Sequence, residues 1–250
     1  MSRMRRTWAF AATAVALAGL TGAVGCGESA DRKTTAQVVG EVPTSPSATA
    51  VQTQMVKVIR RVSPAVVQIE CGRSLGSGIV FDGRGDVVTN AHVIDGARSC
   101  TVTLPVGDTH SASIVGSDAT RDLAVVHLRD ATPAPATFGD SSKVQVGDMV
   151  LAMGNPLGLR SSVTQGIVSS LDRNVAESQK VDLSALMQTS AEINPGNSGG
   201  ALVDLSGRII GIPTLTALDP EFGGAQAPGI GFAIPSNVVR TIASSLIGSS

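Results

Sequence analysis

Aromatic residues are scarce in this 250-residue chain, which has five phenylalanines, one tryptophan and no tyrosine. A hydrophobic core must therefore be built from Val, Ile, Leu and Ala, and the 42% apolar content is enough for a sizeable one. Long basic runs are also absent, and the formal net charge is -1. Because phosphate binding needs clustered Lys and Arg, the sequence argues against nucleic acid as the main partner.

Motifs that bind cofactors or metals are missing as well. The sequence contains no H-E-x-x-H segment, no phosphate-binding loop and no cluster of cysteines. Any chemistry must then come from ordinary side chains. We therefore expect neither a cofactor nor a metal ion in the site.

The N-terminus has the pattern of an export signal. Three arginines precede an uncharged apolar run, residues 8–24, which is followed closely by Cys26. Residues 1–25 are predicted to be a signal peptide, and the small residues before Cys26 resemble a lipidation signal, although Ala23 stands where leucine is usual. The prediction is a lipoprotein anchored on the extracytoplasmic face of the cell membrane. A secreted protein cleaved without lipidation, and an uncleaved N-terminal anchor, are the alternatives.

The other two cysteines are Cys71 and Cys100, and they predict one disulfide because exported proteins favour paired cysteines. Cys71 ends the apolar run 65–71 and Cys100 begins the run 100–104, so both are placed at strand ends. A bridge between them would enclose His92 and would stabilise the fold by about 3 to 4 kcal/mol on loop entropy. Two buried reduced thiols are the alternative.

Composition divides the chain into a polar segment and a folded domain. Residues 26–52 are rich in Ser, Thr, Ala and Pro, which predicts a flexible tether, and residues 53–250 predict the domain. Within the domain, short β-rich runs separated by turn residues fill two halves, about 62–130 and about 144–235. A Pro/Ala/Ser connector, 131–143, separates the halves.

The two halves predict an all-β fold. Two sets of about six short strands, with almost no helix between them, favour two antiparallel six-stranded β-barrels. Apolar spacing is helical only before Pro64 and after Pro235, which adds one short helix at each end of the domain.

Residues 196–200 read G-N-S-G-G, a G-x-S-x-G pattern that two unrelated classes of serine hydrolase share. In an α/β-hydrolase the histidine follows the serine, but all three histidines of this chain precede Ser198. The order therefore excludes an α/β-hydrolase. The β-rich pattern also disfavours subtilisin, whose order is Asp, His, Ser. The order His92, Asp122, Ser198 is that of a chymotrypsin-like enzyme.

These three residues supply the parts that a nucleophilic serine needs. A serine hydroxyl attacks well only when a base removes its proton, and the base needs an acid to orient it and to stabilise its charged form. His92 follows a predicted strand, Asp122 begins one, and Ser198 lies in a glycine-flanked loop. They are the candidate catalytic residues.

The neighbouring candidates fit less well. His127 lies five residues after Asp122, and an odd offset on one strand points to the opposite face. His110 falls in a loop or at a strand edge, and Asp118 is expected to cap a turn. None of these three is expected to take part in catalysis.

Six segments, taken in order, resemble motifs of the HtrA (Deg) group of trypsin-like serine proteases: TNAHVI, DLAVV, GNPLGL, VTQGIVSSLDR, QTSAEINPGNSGGALVDLSGRIIGI and GIGFAIP. The match extends from about Val58 to Pro235, and it implies that the two β-barrels are of the chymotrypsin/trypsin-like type. By that resemblance His92 is the general base, Asp122 the orienting acid and Ser198 the nucleophile. The resemblance also implies an oxyanion hole formed by the backbone N–H groups of Gly196 and Ser198.

The resemblance implies a specificity pocket as well, with walls from Glu192, Ile193, Asn194, Thr214 and Gly231. Pockets of this group take small or medium aliphatic residues at P1, the substrate residue before the cleaved bond. Glu192 stands where the group has a small residue. A carboxylate at the pocket floor would favour Lys or Arg at P1, whereas a carboxylate turned to solvent, which we favour, leaves the aliphatic preference unchanged.

The function implied is that of an exported serine endopeptidase acting on proteins or peptides in protein quality control. A catalytically silent or latent protein-binding, chaperone-like module on the same fold is the alternative, and an esterase is a weaker third. The chain ends fifteen residues after Pro235, so the PDZ domain of many members is not expected. Oligomers are common in the group, but the N-terminal segment offers few large apolar anchors for one.

Overall fold

The computed structural model describes residues 45–155, 162–176, 182–194, 196–219 and 225–249. The predicted signal peptide 1–25, the lipidation site Cys26 and the tether up to residue 44 lie outside the described residues. The described part begins with helix α1, Pro46–Val62, and ends with helix α2, Ser236–Gly248.

Helix α1 starts inside the segment that was predicted to be a tether, so that prediction is wrong for residues 46–52. The hydroxyl of Ser45 accepts a hydrogen bond from the N–H of Ala48 at 3.2 Å, and Pro46 occupies the first helical turn. Both features are typical start signals of a helix. The helix reaches the core through Val58 and Val62 near its end, and these two side chains are buried.

Twelve strands form two closed antiparallel barrels, which confirms the predicted fold class. The first barrel has the order β1-β2-β3-β6-β5-β4 and consists of β1 Val66–Cys71, β2 Ser74–Val80, β3 Asp86–Thr89, β4 Cys100–Thr103, β5 Thr109–Asp118 and β6 Leu123–Leu128. The second has the order β10-β11-β12-β9-β8-β7 and consists of β7 Met149–Gly154, β8 Ser162–Ala176, β9 Asp182–Thr189, β10 Ala201–Asp204, β11 Ile209–Asp219 and β12 Ala225–Pro235.

Aliphatic side chains fill the barrels, as the shortage of aromatics requires. In the first barrel Val67, Ile69 and Val87 are fully buried. A Cβ at Gly78 would lie 2.5 Å from Ile69 Cδ1, so β2 carries glycine where a side chain of the neighbouring strand β1 packs across it. Close packing of this kind keeps the strand ends, where the candidate site residues lie, in fixed positions.

The connector and helix α2 join the two barrels. Helix α2 contacts β5 and β6 of the first barrel and β11 and β12 of the second. At its start, the buried Ser236 hydroxyl donates to Gly139 O at 2.9 Å and Asn237 Nδ2 donates to Asp140 at 2.8 Å. Hydrogen bonds from Asn237 and then Ser142 hold the pKa of Asp140 below its usual value.

The predicted disulfide is present between Cys71 and Cys100, with a Cα–Cα distance of 4.4 Å. It joins the end of β1 to the start of β4, and both cysteines are buried. The enclosed segment contains His92, so the bridge closes the loop that carries the candidate base.

Replacing both cysteines by alanine is expected to lower the free energy of unfolding by about 3 to 4 kcal/mol, because the unfolded chain regains the freedom of the closed loop. Urea unfolding of wild type and of Cys71→Ala with Cys100→Ala measures the difference. Dithiothreitol should shift the wild-type midpoint and leave that of the double variant in place. A wild-type midpoint that does not respond to reductant would contradict a stabilising disulfide.

Candidate active site

Ser198 lies in a tight turn, residues 196–199, just before β10. The φ angle is 101° at Gly196 and 79° at Gly199, values that residues with a side chain rarely adopt. A Cβ at Gly199 would also collide with the backbone oxygen of Ser77. The glycines therefore let the turn press against the first barrel. The Ser198 hydroxyl donates a hydrogen bond to Thr214 O at 3.2 Å.

His92 lies in a single turn of 3₁₀-helix, residues 91–93, directly after β3. Its Nδ1 is 2.9 and 3.0 Å from the two carboxylate oxygens of Asp122, and its backbone N–H donates to the same carboxylate at 3.0 Å. Because a carboxylate only accepts, Nδ1 carries the proton and Nε2 is the basic nitrogen of the neutral ring. The ring is held in the tautomer that a general base needs.

Asp122 precedes β6 and is 3% exposed. Besides His92, its carboxylate accepts a hydrogen bond from the hydroxyl of Thr214. Its φ is 52, in the left-handed region, and the fully buried Asn90 donates from Nδ2 to its carbonyl at 2.9 Å. Non-glycine residues in this region carry strain, which surrounding contacts must offset. Asn90 supplies such a contact.

Two backbone N–H groups of the serine turn make no hydrogen bond to the described part of the chain. The N–H of Asn197 donates to Asn194 O at 2.9 Å, and that of Gly199 donates to Pro213 O at 3.0 Å. Between the described residues no hydrogen bond uses the N–H of Gly196 or of Ser198. These are the two groups predicted to form the oxyanion hole.

A cavity of about 120 Å³ lies between the segment before the serine turn and strand β12. Its lining contains four of the five predicted pocket residues, namely Glu192, Ile193, Asn194 and Gly231. Ile193 is buried, and a Cβ at Gly231 would lie 2.5 Å from Ile193 Cγ1, so only glycine fits at that position. Glu192 is exposed, and its carbonyl accepts a hydrogen bond from the Thr164 hydroxyl at 2.7 Å.

Comparison with known proteins assigns the family. A model of the trypsin-like peptidase domain matches residues 76–212, a range that contains His92, Asp122 and Ser198. Serine protease Do-like HtrA of Bacillus subtilis (strain 168) is 44% identical over 180 residues, which cover 69% of this chain and 39% of the relative. The chain belongs to the trypsin-like serine peptidases of the HtrA type.

Further relatives of this HtrA-type chain agree. Periplasmic serine endoprotease DegP of Escherichia coli (strain K12) is 43% identical over 176 residues, or 70% of this chain and 36% of DegP. A solved structure described as HtrA-type protease AlgW with tripeptide aligns with a TM-score of 0.68 and 39% identity, covering 77% of this chain and 63% of AlgW. The chain thus matches less than half the length of these two curated relatives.

Thr214 has a different place in this HtrA-type site from the one predicted. It does not line the cavity beside Glu192, because its side chain is buried at 3% exposure and turned to Asp122. Its hydroxyl bonds to Asp122 while its carbonyl accepts from Ser198. Thr214 therefore connects the candidate acid to the candidate nucleophile.

A second cavity, of about 610 Å³, opens beside His92. Its walls come from the turn after His92, including Ile94 and Asp95, and from Ile114 on β5. The site of this HtrA-type domain is thus flanked by a small cavity next to the serine turn and a larger one next to the histidine.

The other sequence candidates have structural partners. His127 Nδ1 is 2.8 Å from Asp86, and His110 Nδ1 is 2.9 Å from Asp130. The Asp118 carboxylate accepts from the N–H of Arg121 at 3.1 Å, which confirms the predicted turn cap. Within the described ranges, no three His, Cys, Asp or Glu side chains group as a metal site.

Proposed function

We propose that this chain is a serine endopeptidase that cleaves peptide bonds in proteins with Ser198 as nucleophile, His92 as general base and Asp122 as orienting acid. The observation that carries the proposal is the paired contact of His92 Nδ1 with the buried Asp122 carboxylate. This contact prepares Nε2 to accept a proton. The Ser198 hydroxyl also donates to the carbonyl of Thr214, and the hydroxyl of Thr214 bonds to Asp122. Thr214 therefore holds the nucleophile and the acid in the same place.

Hydrolysis follows two steps in this arrangement. Ser198 Oγ attacks the carbonyl carbon of the scissile peptide while His92 Nε2 takes the hydroxyl proton, which then goes to the leaving amine as the C–N bond breaks. Water attacks the resulting acyl-enzyme and gives a proton to His92, which passes it to Ser198 Oγ as the ester C–O bond breaks and the carboxylic acid leaves. The N–H groups of Gly196 and Ser198 stabilise the negative oxygen of both tetrahedral intermediates.

Location outside the cytoplasm is part of the proposal. The export-signal pattern of residues 1–25 supports it, and so do relatives whose names describe them as periplasmic. Disulfide formation fits an oxidising compartment. Lipidation of Cys26 would tether the domain to the membrane surface, and unfolded extracytoplasmic proteins would be the substrates. Of the helices in the described residues, none is long and apolar enough to span a bilayer.

The decisive test of the function combines labelling with turnover. The purified chain should cleave an unfolded protein such as reduced casein, and a fluorophosphonate should add one adduct that peptide mapping places on Ser198. Turnover of esters without any cleavage of casein or peptides would instead support the esterase. A folded protein that accepts no adduct would overturn the endopeptidase and support the protein-binding module.

The exposed Glu192 leads to a prediction about specificity. Because Glu192 is exposed although it lines the cavity, we expect a peptide library to show small or medium aliphatic residues at P1. Glu192→Ala should then change kcat/KM for a substrate with valine at P1 by less than about threefold, because the carboxylate contributes little to binding that substrate. Glu70→Ala is the matched control, because it also removes an exposed carboxylate, in this case one on strand β1. A P1 preference for Lys or Arg that Glu192→Ala abolishes would show that the carboxylate contacts the substrate.

A further inference from the structure

Ser77, on strand β2 of the first barrel, is fully buried against the serine turn of the second barrel. Its N–H donates to Ser198 O at 2.9 Å. Its hydroxyl donates to Gly196 O and accepts from the N–H of Asn155 at 2.8 Å. Its carbonyl accepts from the hydroxyl of Thr89 at 2.7 Å. Every polar group of this residue is thus used, and three of these bonds cross to the second barrel.

The bond to Gly196 O has a specific consequence, because the Gly196–Asn197 peptide lies between the N–H groups of Gly196 and Ser198. The oxygen of this peptide is held by the Ser77 hydroxyl and its N–H by Asn194 O at 2.9 Å. A peptide bound on both edges cannot rotate without breaking a buried hydrogen bond. The N–H of Gly196 belongs to the preceding peptide and that of Ser198 to the following one, so a fixed Gly196–Asn197 peptide restrains both directions through the adjoining Cα atoms.

Glycine makes this restraint necessary. Gly196 has a φ of 101 and no side chain, so its own conformational preference does not hold the peptide in one orientation. A partner from outside the turn has to do so. In the described residues, Ser77 is the side chain that bonds to Gly196 O.

The surroundings leave little room for a substitute. A Cβ on Gly154 would lie 3.0 Å from Ser77 Oγ and 2.5 Å from Asn197 Oδ1, so the strand passes directly against this contact. Because Ser77 and Gly196 are both buried, loss of the hydroxyl would leave Gly196 O without that partner in a tightly packed place.

We propose that Ser77 is a positioning residue for peptide hydrolysis, whose hydroxyl fixes the Gly196–Asn197 peptide and so aims the N–H groups of Gly196 and Ser198 at the developing oxyanion. Ser77 acts through these groups and does not touch the substrate. The proposal rests on the proposed function of Ser198, and it assigns a task to a serine outside the triad.

Ser77→Ala tests the proposal. Loss of one oxyanion donor lowers kcat by about 10² to 10³ in another serine protease. Donors that are present but wrongly directed should cost less, so we expect Ser77→Ala to lower kcat by roughly 10- to 100-fold, with KM within about twofold of wild type. Affinity for a peptide boronic acid, whose adduct places a negative oxygen in the hole, should fall by a similar factor. Both are measured at a temperature where circular dichroism shows each protein folded.

Ser236→Ala is the matched control, because Ser236 is also fully buried and its hydroxyl also donates to a backbone carbonyl, at 2.9 Å. It should lose thermal stability and keep both kcat and boronate affinity. If Ser77→Ala does not fold, Ser77→Cys keeps nearly the same shape with a weak donor and should show the same loss.

A Ser77→Ala enzyme with wild-type kcat and boronate affinity would overturn the proposal. Amide NMR spectra give a readout that does not depend on turnover: the Gly196 and Ser198 resonances should shift in Ser77→Ala and stay in place in Ser236→Ala. Unshifted resonances would refute the positioning role. Wild type that neither turns over nor takes up fluorophosphonate would refute the proposed function instead, and the amide shifts would still decide the role of Ser77.

Discussion

Ser198→Ala is expected to lower kcat for peptide hydrolysis by about 10⁶-fold, the size of loss found when a protease of another fold loses its serine nucleophile. The substitution removes the atom that forms the acyl-enzyme, and the water that must replace it is not held by His92 in the same geometry. The fold should be little affected, because within the described residues the hydroxyl makes a single hydrogen bond, to Thr214 O at 3.2 Å. Single-turnover assays with a peptide amide, together with thermal unfolding, separate these effects.

Ser170→Ala is the control for this variant. Ser170 is a half-buried serine on β8 of the same barrel whose hydroxyl donates to Leu171 O at 3.3 Å. It should keep wild-type kcat and fluorophosphonate uptake, whereas Ser198→Ala should lose both. Retention of more than about one hundredth of the wild-type kcat by Ser198→Ala would mean that another group is the nucleophile.

The barrels were predictable because each strand is marked locally. Apolar runs such as 66–71 and 123–128, which are rich in Val and Leu or Ile, are bounded by turn residues. Strands of this length close into barrels when no helices separate them. The start of α1 was missed because residues 46–52 are poor in apolar periodicity. The helix begins on its cap, Ser45 followed by Pro46, which is a signal that composition does not carry.

The order of the candidate triad was readable in the sequence, but its supporting contacts were not. Thr214 was placed in the pocket from its position in a late strand, yet its hydroxyl reaches Asp122, 92 residues earlier. Ser77 bonds to Gly196 across 119 residues. A small polar residue inside an apolar run shows no periodicity of its own, and only the closed barrels determine which distant group it meets.

Asn90 also makes a supporting contact that the sequence does not predict, although its position near His92 gives a partial indication. It lies two residues before His92, so a side chain near the candidate base could be expected, but its partner is the carbonyl of Asp122. The backbone of Asp122 is left-handed, with a φ of 52°. Backbone conformations of this kind follow from tertiary packing, and nothing in the surrounding sequence predicts this one.

Asp122→Asn is expected to lower kcat by about 10⁴-fold, because an amide NH₂ directed at His92 Nδ1 requires Nδ1 to accept, which moves the ring proton to Nε2. The base would then present a donor to Ser198. Asparagine is the suitable replacement, since it has the size of aspartate and tolerates the φ of 52 better than most residues. Its remaining oxygen can still accept from Thr214 or from the backbone N–H of His92.

A lower kcat in Asp122→Asn could come from unfolding or from the wrong tautomer of His92, and the two causes must be separated. Asp118→Asn, four residues earlier, keeps an acceptor for the N–H of Arg121 and should leave kcat within about threefold of wild type. Thermal unfolding of Asp122→Asn should stay close to wild type while KM changes little, because the substitution acts on proton transfer. If kcat fell only in proportion to the folded fraction, Asp122 would be a structural partner of His92, and the charge of its carboxylate would have no part in activating Ser198.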